Sequence, residues 1–199
     1  MGRSRTEGAA GVRERILAAA CELFAEQGYD ATSVQQVVDR AGVTKGGLYH
    51  YFGAKEDLLV EMYRTVFGER LAALDRILAQ GRDAEWTLRA IIDDIVVGTA
   101  AMMTESAAVS RELAHMDSAR TQRLQADWRR YQEAVRALIR DAQAAGVFAA
   151  VASPELVSWS IFGVTTTLHT WFRPDGPKRA EQIAHELADL VLTGLKSRP

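Results

Sequence analysis

The chain has 199 residues, 48% hydrophobic and 25% charged, with a formal net charge of −2. No apolar run approaches the ~18 residues of a membrane span, which excludes an integral helical membrane protein, and the length suffices for a core that needs no metal or disulfide staple. The single cysteine, Cys21, excludes an intramolecular disulfide and a multi-cysteine zinc site; with no secretory apolar stretch near Met1, a cytoplasmic protein is expected.

All four prolines, Pro154, Pro174, Pro177 and Pro199, lie in the last quarter, and the rest is rich in Ala, Leu, Glu, Arg and Gln, the residues that lose least on entering a helix. The chain reads as all-α. Val12, Ile16, Ala19, Ala20, Leu23 and Phe24 recur at helical spacing from about Gly11 to Gln27, with Gly28 as a left-handed stop. Cys21 lies in that helix with no activating partner in the sequence and reads as a small core thiol. A second, short helix covers about Ser33 to Ala41; Thr32 or Ser33 caps it and Gln35 or Gln36 completes a capping box. Gly42-Val43 turns the chain, and Thr44 caps a third helix from Lys45 to about Tyr51. Two helices joined by a tight glycine-containing turn form a helix-turn-helix.

A longer amphipathic helix follows from Lys55 to residue 80, carrying Leu58, Leu59, Met62, Val66, Leu71, Leu74 and Leu78, with a bend at Gly68 as one option. Asp83 caps a fifth helix with Leu88, Ile91, Ile92, Ile95, Val96 and Val97. A sixth covers Glu105 to His115, and a seventh opens at Asp117 or Ser118 and stops at Gly146. Ser153-Pro154-Glu155 starts an eighth, expected to reach Phe172 because Pro174 disfavours helix in the residue before it. A ninth runs from about Lys178 to Lys196.

The segment Thr44-Lys45-Gly46-Gly47-Leu48-Tyr49-His50-Tyr51-Phe52 is hard to explain by folding alone, because each glycine inside a helix costs ~1 kcal/mol relative to alanine. Bare glycines let a polyanion approach closely, and Lys45, Tyr49, His50 and Lys55 with the hydroxyls of Thr32, Ser33 and Thr44 supply donors of the kind that hold DNA phosphates. Leu48 and Phe52 are expected to point inward. On these residues alone, a plain loop with both tyrosines in the core stays open.

Residues Arg15 to Tyr63, with Ala-Gly-Val-Thr-Lys-Gly-Gly-Leu-Tyr-His-Tyr-Phe at 41–52 and Lys55-Glu56-Asp57-Leu58 after it, closely resemble the DNA-binding domain of the tetracycline-repressor (TetR) family. The resemblance covers about 50 residues of this chain. It implies that the third helix enters the major groove, with Thr44, Lys45, Gly46, Gly47, Tyr49, His50 and Lys55 facing DNA. The order Tyr49, His50, Tyr51 departs from the family's usual two tyrosines followed by histidine, and leaves open which ring reaches phosphate. Residues 1–60 hold seven basic and eight acidic side chains, so binding needs a local basic face, with Arg3 and Arg5 as a candidate minor-groove arm.

The implied architecture is a nine-helix, two-domain protein: a flexible basic tail at 1–10, a helix-turn-helix domain at 11–54, the connecting helix at 55–80, and a ligand-binding and dimerisation domain at 81–199. All four tryptophans fall in this last part. The resemblance implies a small-molecule site there, for which Ile95, Met102, Met103, Trp128, Tyr131, Trp159, Phe162 and Thr166 are candidates, and a dimer interface on the last two helices, for which Trp159, Phe162, Trp171, Ile183, Leu187, Leu190 and Val191 are candidates. Apolar residues surround the axis of the eighth helix, as a helix buried on two sides requires. The hydroxyls of Thr165, Thr166, Thr167 and Thr170 can bond the preceding turn or point into a cavity.

The turn Trp171-Phe172-Arg173-Pro174-Asp175-Gly176-Pro177 resembles a sub-group that often responds to acyl-coenzyme A thioesters. Arg120, Arg123 and Arg129 are candidates for an anionic head, or an ordinary solvated face. The expected partners are an operator duplex, a second copy and a small effector of acyl-coenzyme A or other hydrophobic type; neither membrane, metal nor cofactor is expected. Glu112-x-x-His115 has the spacing of one half of a di-metal site, but no second copy accompanies it, and no catalytic constellation stands out, so the chain reads as a repressor and not an enzyme.

Overall fold

The computed structural model describes residues 3–112 and 122–196. Those residues hold ten helices and no strand: α1 (Arg3–Gln27), α2 (Val34–Ala41), α3 (Lys45–Tyr51), α4 (Lys55–Leu78), α5 (Ala84–Ala101), α6 (Met103–Glu112), α7 (Gln122–Ala144), α8 (Pro154–Thr166), α9 (Leu168–Trp171) and α10 (Ala180–Gly194). The all-α expectation holds. Helix α1 begins at Arg3, not near Gly11, so the backbone from Arg3 onward is helical where a flexible tail was expected. The expected starts of α7 at Asp117 or Ser118 and the His115 end of α6 lie outside the described residues.

The tenth helix arises because the segment from Pro154 to Phe172 is not continuous. Thr165, Thr166 and Thr167 donate their hydroxyls to the carbonyls of Ile161, Phe162 and Gly163 at 2.9, 2.6 and 2.8 Å. Those carbonyls are also the helix's own acceptors, so a run of three back-bonding, β-branched threonines weakens the ladder where α8 ends. Thr170 bonds the Thr167 carbonyl at 2.7 Å. The hydroxyls therefore serve the backbone.

The chain forms two compact units, one from residues 1–66 with 104–121 and one from 67–103 with 122–199. The division between these units falls within α4, at Val66/Phe67, and α6 from Thr104 onward belongs to the first unit. Ile16, Leu23, Phe24, Val37, Leu48, Leu58 and Tyr63 form the first core, where the Tyr63 hydroxyl donates to the Val109 carbonyl at 3.1 Å. Cys21 is buried there, and burial pushes its thiol up to about 12, which removes the thiolate needed for reactivity at neutral pH.

In the second unit α5 packs most heavily on α10 and also meets α7, α8 and α9. Leu88, Ile91, Ile92, Ile95 and Val96 are buried along it. Ser153 caps α8 through the Leu156 amide and Asp83 caps α5 through the Trp86 amide, as the sequence signals. Arg89 on α5 pairs with Asp189 on α10 at 2.6 Å. Ile92→Ala should lower the unfolding free energy by about 2–5 kcal/mol, measured by urea denaturation; an unchanged midpoint would place Ile92 outside the core.

Candidate functional site

Helices α2 and α3 owe their placement to two local devices. Ser33 Oγ accepts from the Gln36 amide at 3.2 Å while the Gln36 side chain accepts from the Ser33 amide at 2.8 Å, a reciprocal capping box. Gly42, at φ 64°, ends α2 in the left-handed conformation, a backbone state that glycine adopts without strain. Thr44 Oγ1 then accepts from the Gly47 amide at 3.1 Å, which starts α3 at once. Leu48 and Phe52 are buried, and so fix the face that α3 turns outward.

That outward face carries Thr44, Lys45, Gly46, Tyr49 and His50, with Tyr49 51% exposed. Gly47 is half-buried beneath it and Ser33 is exposed at the start of α2. Tyr51 is half-buried, its ring edge-on to His50 at 4.9 Å. Tyr49 and His50 are therefore the rings presented to solvent.

Neither Gly46 nor Gly47 has a positive φ. A Cβ would meet Thr44 Oγ1 at 3.9 Å from Gly46 and at 3.4 Å from Gly47, ordinary contacts. The fold makes no demand for glycine at either position, although each lowers helix stability. The missing side chains matter only to something that approaches from outside.

Two of the expected DNA-facing residues point elsewhere. Thr32 is buried, and its hydroxyl donates to the Gly28 carbonyl at 2.7 Å. Lys55 Nζ donates to the carbonyls of Tyr29 and Thr32 at 2.7 and 2.8 Å and sits 4.0 Å from the centre of the Tyr29 ring. In this structure Thr32 and Lys55 hold the loop that enters α2. Arg40 is likewise tied to Glu22 and Glu26, and Arg13 to Glu61. The side chains of Arg3 and Arg5 lie outside the described residues, while Lys45 is a cation exposed on α3.

In the second unit, Trp128 stacks on Tyr131 at 5.9 Å, meets Phe162 edge-on at 5.0 Å and lies 5.2 Å from Phe67. Tyr131, Phe162 and Ile95 are buried; Trp128, Met102, Met103 and Thr166 are half-buried. Trp159 is 58% exposed and takes no part in this cluster, which corrects its assignment to the interior. Phe162 and Leu187, expected at a dimer surface, belong to the core.

Leu190 is 72% exposed, and Trp171, Leu156, Val151 and Val164 also reach solvent. Ile183 and Val191 are half-buried. An apolar hollow of about 230 Å³ lies between Leu156 and Val157 of α8 and Leu190, Val191 and Leu195 at α10. Arg129 is exposed on α7; the side chains of Arg120 and Arg123 lie outside the described residues, as does the Glu112/His115 pair. Among the described residues no three metal-capable side chains converge, and no helix is long and apolar enough to cross a membrane.

A capped helix-turn-helix with a bare outward helix, joined to a second helical unit with an aromatic interior, is the construction of a helix-turn-helix transcription regulator. Residues 16–62 match the family described as bacterial regulatory proteins, tetR family, and residues 81–195 match the tetracyclin repressor-like C-terminal domain. The chain belongs to the TetR family of transcription regulators, which also sets the enzyme reading aside.

It is similar to the HTH-type transcriptional repressor KstR2 of Rhodococcus jostii, with 28% identity, 96% of this chain and 95% of the relative covered. The fold matches the ketosteroid transcriptional regulator KstR2 of Mycobacterium tuberculosis, with TM-score 0.85, 23% identity, 100% of this chain and 98% of that one covered. It also matches AibR, solved in complex with isovaleryl coenzyme A and operator DNA, with TM-score 0.79, 25% identity, and coverage of 90% and 97%.

Sequence reasoning passed over Arg70 and Thr99, which are buried in the second unit and joined by a 2.6 Å hydrogen bond from Nη2 to Oγ1. A signal existed: Arg70 lies four residues from both Val66 and Leu74, on the apolar stripe of α4.

Lys55→Ala should lower the thermal midpoint and weaken operator binding without changing its salt slope. Lys45→Ala should reduce that slope by about one per subunit. Salt titrations of both variants check the assignment; a flattened slope in Lys55→Ala would return that ammonium to the phosphate-binding surface.

Proposed function

We propose that the protein is a homodimeric repressor that places α3 of each copy in the major groove of a palindromic operator, and that a small hydrophobic or acyl-thioester effector releases it. The observation that carries the DNA reading is the face of α3, where two glycines that the fold does not require lie beside exposed Lys45, Tyr49 and His50. The outward face of α3 is short, so a two-fold dimer that doubles the contacts, with half-sites about 34 Å apart or a multiple of that, makes physical sense of the small surface.

The exposed apolar residues of α8 and α10 support the dimer. Leu190, Trp159 and Leu156 leave on one monomer an apolar surface of the kind that marks an interaction site. Leu190→Asp should convert the dimer to monomer in light scattering and lose tight operator binding; a dimer that persists would move the interface elsewhere.

The effector reading is supported by the aromatic cluster of the second unit and by AibR, a relative solved with isovaleryl coenzyme A. Helix α4 contributes residues to both units. At its start, Lys55 anchors the loop before α2. A ligand that favours one position of α4 thereby biases operator binding, by no more than its differential affinity for the two states.

Tyr49→Ala should abolish tight operator binding with the fold intact by circular dichroism. A series of acyl-coenzyme A thioesters, screened beside unrelated hydrophobic compounds, should contain one that both raises the thermal midpoint and releases operator DNA. Nanomolar binding by Tyr49→Ala would refute the recognition surface, and a screen without any stabilising compound would refute the effector.

A further inference from the structure

The interior of the second unit contains a cation that, among the described residues, makes no ion pair. Arg70 is 9% exposed, and its hydrogen bond to Thr99 is to a neutral hydroxyl. Asp94 acts on it only through space, with no ion pair between them among the described residues. Tyr131, which acts electrostatically on the guanidinium, has a hydroxyl that is buried without a hydrogen-bond partner among the described residues. A buried cation without a contacting anion and a buried hydroxyl without an acceptor both carry desolvation penalties. Both penalties fall if one acceptor is bound between them. The rings of Trp128, Phe162 and Phe67 lie beside Tyr131 or in contact with that cluster, so the same place offers apolar contact to the rest of a ligand.

We infer that Arg70, with the Thr99 and Tyr131 hydroxyls, is the anchor for a carboxylate on an otherwise apolar effector whose body lies on the Trp128, Phe162 and Phe67 rings. The assignment rests on the small-hydrophobic form of the effector reading above and specifies its chemistry; an acyl thioester, which has no free acyl carboxylate, is not the ligand of this anchor. A carboxylate accepts from guanidinium N–H and phenol O–H at once and brings an anion into contact with the guanidinium; a neutral head does not. Thr99 keeps the guanidinium plane in place. Arg129, an exposed arginine of α7, is not part of this anchor.

The test is calorimetric titration of the full-length protein with octanoate, decanoate and dodecanoate, each beside the alcohol of the same chain length. The wild type should bind the carboxylate of at least one pair about tenfold or more tightly than its alcohol. Arg70→Met should erase that preference while retaining the alcohol's affinity. Tyr131→Phe should reduce the preference severalfold and, having lost an unpartnered hydroxyl, keep or raise the unliganded thermal midpoint. Arg70→Lys should restore part of the preference and controls for folding.

Equal affinity for acid and alcohol in the wild type would overturn the anchor but leave a hydrophobic effector standing. So would a preference that survives Arg70→Met, or a loss of both ligands together, as a merely structural arginine would give. Absence of binding by every pair also overturns the anchor; the acyl-thioester screen then decides separately whether the effector reading survives.

Discussion

The Lys55 ammonium, seated on the carbonyls of Tyr29 and Thr32 and over the Tyr29 ring, is the contact on which the recognition surface depends. A charge-assisted hydrogen bond of this kind is stronger than a neutral one. The two carbonyls belong to the turn between α1 and α2, where that of Tyr29 also accepts from the Thr32 amide at 3.1 Å. By tying that stretch to the first turn of α4, Lys55 fixes the point at which Ser33 begins α2. Everything after it follows by local rules: Gly42 ends α2, Thr44 begins α3, and Leu48 and Phe52 decide which side of α3 faces out.

Among the described residues of the first unit, Arg13, Arg40 and Lys55 have internal partners, while Lys45 is exposed on α3. Internal pairing of that kind shifts recognition of a duplex toward shape, hydrogen bonding and symmetry and away from counterion release. The same restraint gives meaning to the glycines at 46 and 47, since close approach replaces long-range attraction.

Much of this was legible in the sequence because it is written in local chemistry. The capping box at Ser33, the turn at Gly42, the N-cap at Thr44 and the inward pair Leu48 and Phe52 are all short-range features, and the structure has each of them. The internal bonds of Lys55 and Thr32 were not legible, because residue type and spacing announce a donor but not its direction; the carbonyls of Tyr29 and Thr32 engage Lys55, and that of Gly28 engages Thr32. The break at Thr167 was missed because Pro174 seemed a sufficient stop, while the back-bonding threonines act earlier. Trp159 and Phe162 lie on the same helix and both read as apolar, yet one is solvent-facing and the other core. A helix with apolar residues all round does not itself say which side meets the body of the chain. Arg70 was passed over because a lone arginine in an amphipathic helix ordinarily snorkels to solvent.

The central claim is that a two-fold pair of bare α3 helices reads DNA, and a footprint tests it most directly. Hydroxyl-radical footprinting of the purified protein on DNA selected from a random duplex pool should show two equivalent protected segments related by a dyad, with their centres one helical turn or a whole multiple of it apart. A single asymmetric protected segment, or no protection at low ionic strength, would contradict the account.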